Sequence, residues 1–343
     1  MKSTVSLINV IFVLFSITSS LNLGIAVLGL IETGKVLIVA TIAPLGAIAK
    51  EIGGDRVVVK VIVPAGSDPH RFVPELQHRE LVAKCDIYVT VGREPFLKML
   101  GETKGLKISW NEWIKAGIHI DEAENPHYIW LYPPNAKVVA KVIYDALSKV
   151  DPFNAYYYYE RLMHFNNTID ELALWTNSVV KAFNVEGAKV VLAAPHFKPL
   201  VEFLGFKIVS TIIKGAERKA GPNDIKEAIE SIRSQGADVI VVLITASEGD
   251  EGRVAKLVSE TTGVPIVYLA GVPLYFKEDY VSFIKSNVIA LLTAIRMSRE
   301  CSLHYTSGSL RELSSTFEFQ VYFLLLVLFS MTLIGLYLVS KER

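Results

Sequence analysis

Three of the seven histidines stand directly after a proline, as Pro69-His70, Pro126-His127 and Pro195-His196, far more often than 14 prolines in 343 residues would place them by chance. Neutral imidazole is the commonest side-chain ligand for divalent transition metals, and three of them with one carboxylate make a tetrahedral shell. Proline fixes φ and removes a backbone donor, so each ring rides on a stiff turn. His70 and His127 are 57 residues apart, and His127 and His196 are 69 apart, which excludes finger-type sites whose ligands lie a few residues from one another. On the residues alone, two readings stay open: a metal site assembled from distant segments, or three unrelated histidines in turns.

The other ionisable groups carry weaker signals. His78 falls in a helix-period run with Glu75 and Arg79 and reads as a solvated helix face, while His119, His164 and His304 have no ligand-like context. Asp68 has two readings, an acceptor for an imidazole or a cap on the next turn. Glu248, Asp250 and Glu251 read as a solvated loop and helix start. Cys85 and Cys301, the only cysteines, form neither a disulfide framework nor a ligand set, although a bond between them stays open. Net charge is zero and no basic cluster interrupts the body, so no nucleic acid partner is expected.

The elements that must position these groups follow a repeated rhythm. Apolar runs rich in β-branched residues occur at Val36–Thr41, Val57–Val63 and Ile87–Val91, and again at Val190–Ala193, Lys207–Ile212, Val239–Ile244 and Ile266–Leu269. Helix-period segments separate them. Such alternation predicts an α/β fold of two lobes, each a mainly parallel sheet with helices on both faces. Asp151-Pro152 opens a stretch that reaches Asn184 without another proline or glycine, which predicts a long rigid helix joining the lobes. A last helix is expected over about Asp279 to Met297.

Both ends are apolar. Residues Val5 to Ile31 carry no charge and read as a signal peptide or N-terminal anchor. Phe319 to Ser340 is apolar, long enough to span ~30 Å of hydrocarbon, and precedes Lys341 and Arg343, so a C-terminal transmembrane helix with a cytoplasmic tail is expected. The resulting organisation is a leader or anchor over 1–31, an N-terminal lobe over 33–150, a connecting helix over 151–185, a C-terminal lobe over 186–298, a stalk over 299–318 and a membrane span over 319–340. The binding body would stand outside the cell. A sequon at Asn166-Asn167-Thr168 would be open to glycan there.

The block Val36 to Gly92 carries a strand ending in Thr41, the turn Gly53-Gly54-Asp55, the loop Gly66-Ser67-Asp68-Pro69-His70 and the strand entry Lys84-Cys85-Asp86. In these it resembles the metal-binding solute-binding proteins of ABC transporters, the zinc and manganese uptake receptors, in which that loop supplies a ligand. A second block, Asn125-Pro126-His127-Tyr128-Ile129-Trp130-Leu131-Tyr132-Pro133-Pro134-Asn135-Ala136, is similar to that family's Asp-Pro-His-x-Trp-Leu-x-Pro-x-Asn-Ala signature. It differs by one extra residue between His127 and Trp130, and by Asn125 where Asp is usual. The third motif matches loosely at His196.

The resemblance covers some 250 residues and implies a metal set of His70, His127 and His196 with an acidic fourth ligand ahead of Tyr280. Counting back from that tyrosine favours Glu278, and side-chain type favours Asp279. It further implies a monomeric receptor, not an enzyme, that captures a divalent ion between its lobes and delivers it to a permease and its ATPase. His70 and His127 would come from the first lobe, and His196 and the carboxylate from the second. Zinc suits three nitrogens and a carboxylate, while manganese or iron would want more oxygen. Two rivals remain: a membrane-anchored metallohydrolase, although no His-Glu-x-x-His pair occurs, and a receptor of the same fold for a metal chelate such as a corrinoid or siderophore.

Overall fold

The computed structural model describes residues 34–215, 219–275 and 278–307. Contacts divide the described residues into two units: one holds those up to Trp130 with Pro134–Ile169 and Val272–Tyr280, and the other holds Leu131–Pro133, Asp170–Gly271 and those from Val281. The apolar ends, 1–31 and 319–340, lie outside the described residues.

The first unit is built on a four-stranded parallel sheet of β1 (Val36–Ala40), β2 (Val57–Val61), β3 (Ile87–Val89) and β4 (Leu106–Ile108), in the order β2-β1-β3-β4. The central strand β1, Val-Leu-Ile-Val-Ala, is buried almost throughout, as a strand covered on both faces must be. Pairing continues past β2, since Ile62 N–H donates to Ala40 O and Val63 N–H to Thr41 O, at 2.9 and 3.0 Å. The run predicted from sequence over Val57–Val63 is therefore tied down to the proline that opens the histidine loop.

The second unit repeats the plan with β5 (Lys189–Leu192), β6 (Lys207–Thr211), β7 (Val239–Leu243) and β8 (Ile266–Leu269), in the order β6-β5-β7-β8 and again all parallel. One face of this sheet packs Val191, Ala193, Ile240 and Val242 against Ala228 and Ile232 of the helix Pro222–Gln235 and Ala255 and Val258 of the helix Asp250–Thr262. The two-lobe α/β class expected from the sequence is the observed one.

Three differences have physical reasons. The edge strand β4 was not anticipated, because it is three residues long, two of them exposed, and only its pairing with β3 makes it a strand. Asp151-Pro152 opens a 3-10 turn, Pro152–Asn154, before the α-helix proper runs over Ala155–Ala182. That helix has 28 residues, about 42 Å at 1.5 Å each. It contributes its residues through Ile169 to the first unit and those from Asp170 to the second. The last helix extends over Tyr280–Ser307, so the first residues of the expected stalk are helical. Ser, Thr and charged residues disguise its end.

By length and composition Tyr280–Cys301 would also pass for a membrane span. It is instead anchored in the fold: Leu291, Leu292 and Ile295 are fully buried, Asn287 pairs with both backbone groups of Ala270, and Arg299 grips Asp238 at 2.8 Å. The sequon residue Asn166 lies within the long helix with its side-chain oxygen buried, so it is not displayed on a loop. Cys85 and Cys301 are both free thiols; Cys85 is buried, and burial pushes its pKa up.

Candidate metal centre

The first unit brings two of the predicted histidines together. The loop after β2 turns at Ser67, whose N–H donates to Pro64 O, and at Asp68, whose carboxylate accepts the His70 N–H at 2.9 Å. Asp68 therefore caps the turn that presents His70. The rings of His70 and His127 lie with centroids 5.9 Å apart, and their donor atoms come within 4.8 Å of each other, a span one ion can bridge. His70 is exposed and His127 is buried.

His127 is set by a tight local structure. Asp121 accepts the Asn125 N–H at 2.9 Å, and Glu124 between them adopts the left-handed region with φ 50°. An ion pair of 2.6 Å between Arg93 and Glu124 fixes that residue. Asn125 Oδ1 accepts the backbone N–H of His127 at 3.1 Å and lies 2.8 Å from its Nδ1. With the proton on Nδ1 facing the amide oxygen, Nε2 keeps its lone pair for a metal. The ring of Trp130 backs the imidazole at 4.9 Å between centroids.

The segment that carries Glu278 and Asp279 also belongs to this unit, not to the second lobe as the sequence reading assigns it. Two hydrogen bonds explain why. Gly66 N–H, in the His70 loop, donates to Pro273 O at 3.0 Å, and the buried Tyr280 hydroxyl donates to Trp130 O at 2.9 Å, one turn from His127. Burial raises the Tyr280 pKa, keeping its hydroxyl a donor. Glu278 turns a carboxylate oxygen to the Leu274 N–H at 3.1 Å, and Asp279 is exposed.

In the second unit, His196 sits in the 3-10 turn Pro195–Phe197 that follows β5 and is 8 % exposed. Its Nδ1 lies 3.5 Å from Oε2 of Glu251, a residue of the helix after β7. β5 and β7 are neighbours, and the strands on either side of them run to opposite edges of the sheet. His196 and Glu251 thus flank the carboxyl-end crevice where open α/β sheets bind ligands.

Glu251 is the residue that sequence reasoning missed. Read as part of a solvated acidic cluster, it is 6 % exposed and accepts the Leu243 N–H at 2.8 Å. The signal was Gly252, in the first turn of the same helix: a Cβ there would meet Ser247 O at 1.7 Å, so only glycine lets the turn press onto the preceding loop and carry its neighbour inward. Two of the remaining histidines keep structural roles. His78 Nδ1 accepts the Glu75 N–H at 2.9 Å as a helix cap, and the His119 ring packs against Tyr128.

Residues 38–294 match the family of the zinc-uptake complex component A, periplasmic (ZnuA). The chain belongs to that family. It is a metal-binding, substrate-binding protein of the ABC-transporter type and not an enzyme, which sets aside the hydrolase reading. Among curated relatives, it is 26% identical over 247 residues to the manganese ABC transporter substrate-binding lipoprotein PsaA of Streptococcus pneumoniae, covering 68% of this chain and 78% of that one. It is 25% identical over 278 residues to the manganese-binding lipoprotein MntA of Halalkalibacterium halodurans, covering 78% and 91%. Among solved structures, the Cd-bound periplasmic metal binding protein from Candidatus Liberibacter asiaticus superposes with a TM-score of 0.65 at 21% identity, over 76% of this chain and all of the other. At that identity the likeness speaks for the shared ZnuA-type fold alone.

Proposed function

We propose that this ZnuA-family protein is a membrane-tethered receptor that captures a divalent transition metal, zinc first, and delivers it to the permease and ATPase of an ABC importer. His70 and His127 start the coordination shell, His196 adds the third nitrogen, and a carboxylate of the pair Glu278–Asp279 completes it. The observation that carries the reading is the His70–His127 pair, with facing donors and an Asn125 that leaves Nε2 of His127 as the ligand atom.

Zinc is preferred over manganese because three imidazoles and one carboxylate make a nitrogen-rich, four-donor set. The relatives named for manganese make that metal the rival to exclude. Apolar residues 319–340 support a single-pass C-terminal anchor with the body outside the cell.

The test is metal content and competitive zinc and manganese binding of the purified full-length chain, beside a His70→Ala, His127→Ala double variant. One ion per chain with zinc outcompeting manganese, lost in the double variant, is the expected result. Manganese winning at equal concentration would overturn the choice of metal, and binding indifferent to both histidines would overturn the site. Glu278→Gln and Asp279→Asn, measured separately, identify which acid is the fourth donor.

A further inference from the structure

Glu251 is a carboxylate that the fold has gone out of its way to bury. An isolated buried carboxylate is strongly disfavoured, so its partners define its role. One oxygen takes the Leu243 N–H at 2.8 Å, at the carboxyl end of β7, and the other lies 3.5 Å from Nδ1 of His196. The side chain sits in the first turn of the helix Asp250–Thr262, where the helix dipole favours negative charge. Gly252 holds that turn against Ser247, closer than any other residue would allow.

We propose that Glu251 is a positioning residue for metal capture: it holds the His196 ring with Nδ1–H toward the carboxylate, so that Nε2 is the donor, and it places a negative charge behind the ligand. The inference rests on His196 being a ligand, as proposed above. It also makes the two buried imidazoles unequal, because His127 is oriented by the neutral amide of Asn125 and His196 by a carboxylate. Outer-shell acceptors of this kind raise the basicity of the ligand they hold and are worth about 10–100-fold in metal affinity.

Glu251→Gln separates this role from a structural one. The Leu243 N–H needs an oxygen, so the glutamine oxygen stays there and its NH2 turns toward His196. An NH2 in that place requires Nδ1 to accept, which moves the ring proton to Nε2 and removes the donor. Zinc affinity of full-length Glu251→Gln in detergent, measured by chelator competition, should fall about 10–100-fold with the melting temperature unchanged, and the visible spectrum of bound Co2+ should change. A His196→Ala, Glu251→Gln double variant should be no weaker than His196→Ala alone. Wild-type affinity and an unchanged Co2+ spectrum in Glu251→Gln, beside a weakened His196→Ala, would overturn the role of Glu251 and leave the receptor reading standing. Wild-type affinity in His196→Ala would overturn the assignment of His196 and this inference with it.

Discussion

Asn125 Oδ1 meets His127 twice, at the backbone N–H and at Nδ1 of the ring, 3.1 and 2.8 Å away. One side-chain oxygen thus shapes the turn and chooses the tautomer. Asn125→Ala removes both bonds and should weaken metal binding about 10-fold or more, while Asn125→Asp, which keeps the acceptor and adds a charge behind the ring, should bind at least as tightly as wild type. Isothermal titration with zinc checks it; equal affinity in the alanine variant would show that the ring is oriented without Asn125.

Alkaline pH should destabilise the folded body. Tyr158 is pushed up from 10.0 by burial first and then by its 2.7 Å hydrogen bond to Asp151, and burial likewise raises Tyr88 and Tyr280. The folded state therefore holds these protons more tightly than the unfolded chain. Their stabilising contribution is complete below pH 10 and is lost as pH rises above it, toward the raised folded values. Urea unfolding at pH 8 and pH 11 should show the loss, and Tyr158→Phe should make the pH dependence shallower.

Gly252→Ala should be strongly destabilising for so small a change. The added Cβ would fall 1.7 Å from the Ser247 carbonyl oxygen, a backbone atom that no rotamer change can move aside. Overpacking of this kind costs about 1–3 kcal/mol. Because relief of the clash lifts the helix turn that carries Glu251, metal affinity should fall together with the denaturation midpoint. A variant with unchanged stability would mean that the turn and loop part freely.

Asn287→Leu should loosen the last helix. Its buried amide accepts from Ala270 N–H at 2.8 Å and donates to Ala270 O at 2.9 Å, just after β8. Leucine strands both backbone groups, at roughly 1–3 kcal/mol for each that stays dry. Hydrogen exchange at Ala270, faster in the variant, is the direct readout.

The sequence makes the two sheets legible because their central strands are continuous β-branched runs, and it makes the three Pro-His turns legible because proline beside histidine is rare and two of the three pairs lie just beyond strand ends. It hides what depends on contact at a distance. β4 exists only by pairing with β3, and Glu251 is buried only because a glycine beside it admits a close approach. The segment Val272–Tyr280 follows the strands of the second sheet in sequence, so reading along the chain gives it to the second lobe. Two long-range hydrogen bonds, Gly66 to Pro273 and Tyr280 to Trp130, carry it back to the first.

That return has a consequence for the order in which the protein is made. A chain emerging from the ribosome presents nearly all of the first unit early, yet the strip that ties down the His70 loop and backs the His127 turn is synthesised only after the entire second sheet. Until about residue 280 has been made, the first unit cannot reach its final form. A truncated product ending in the second sheet would therefore lack the two hydrogen bonds that fasten the His70 loop and back the His127 turn.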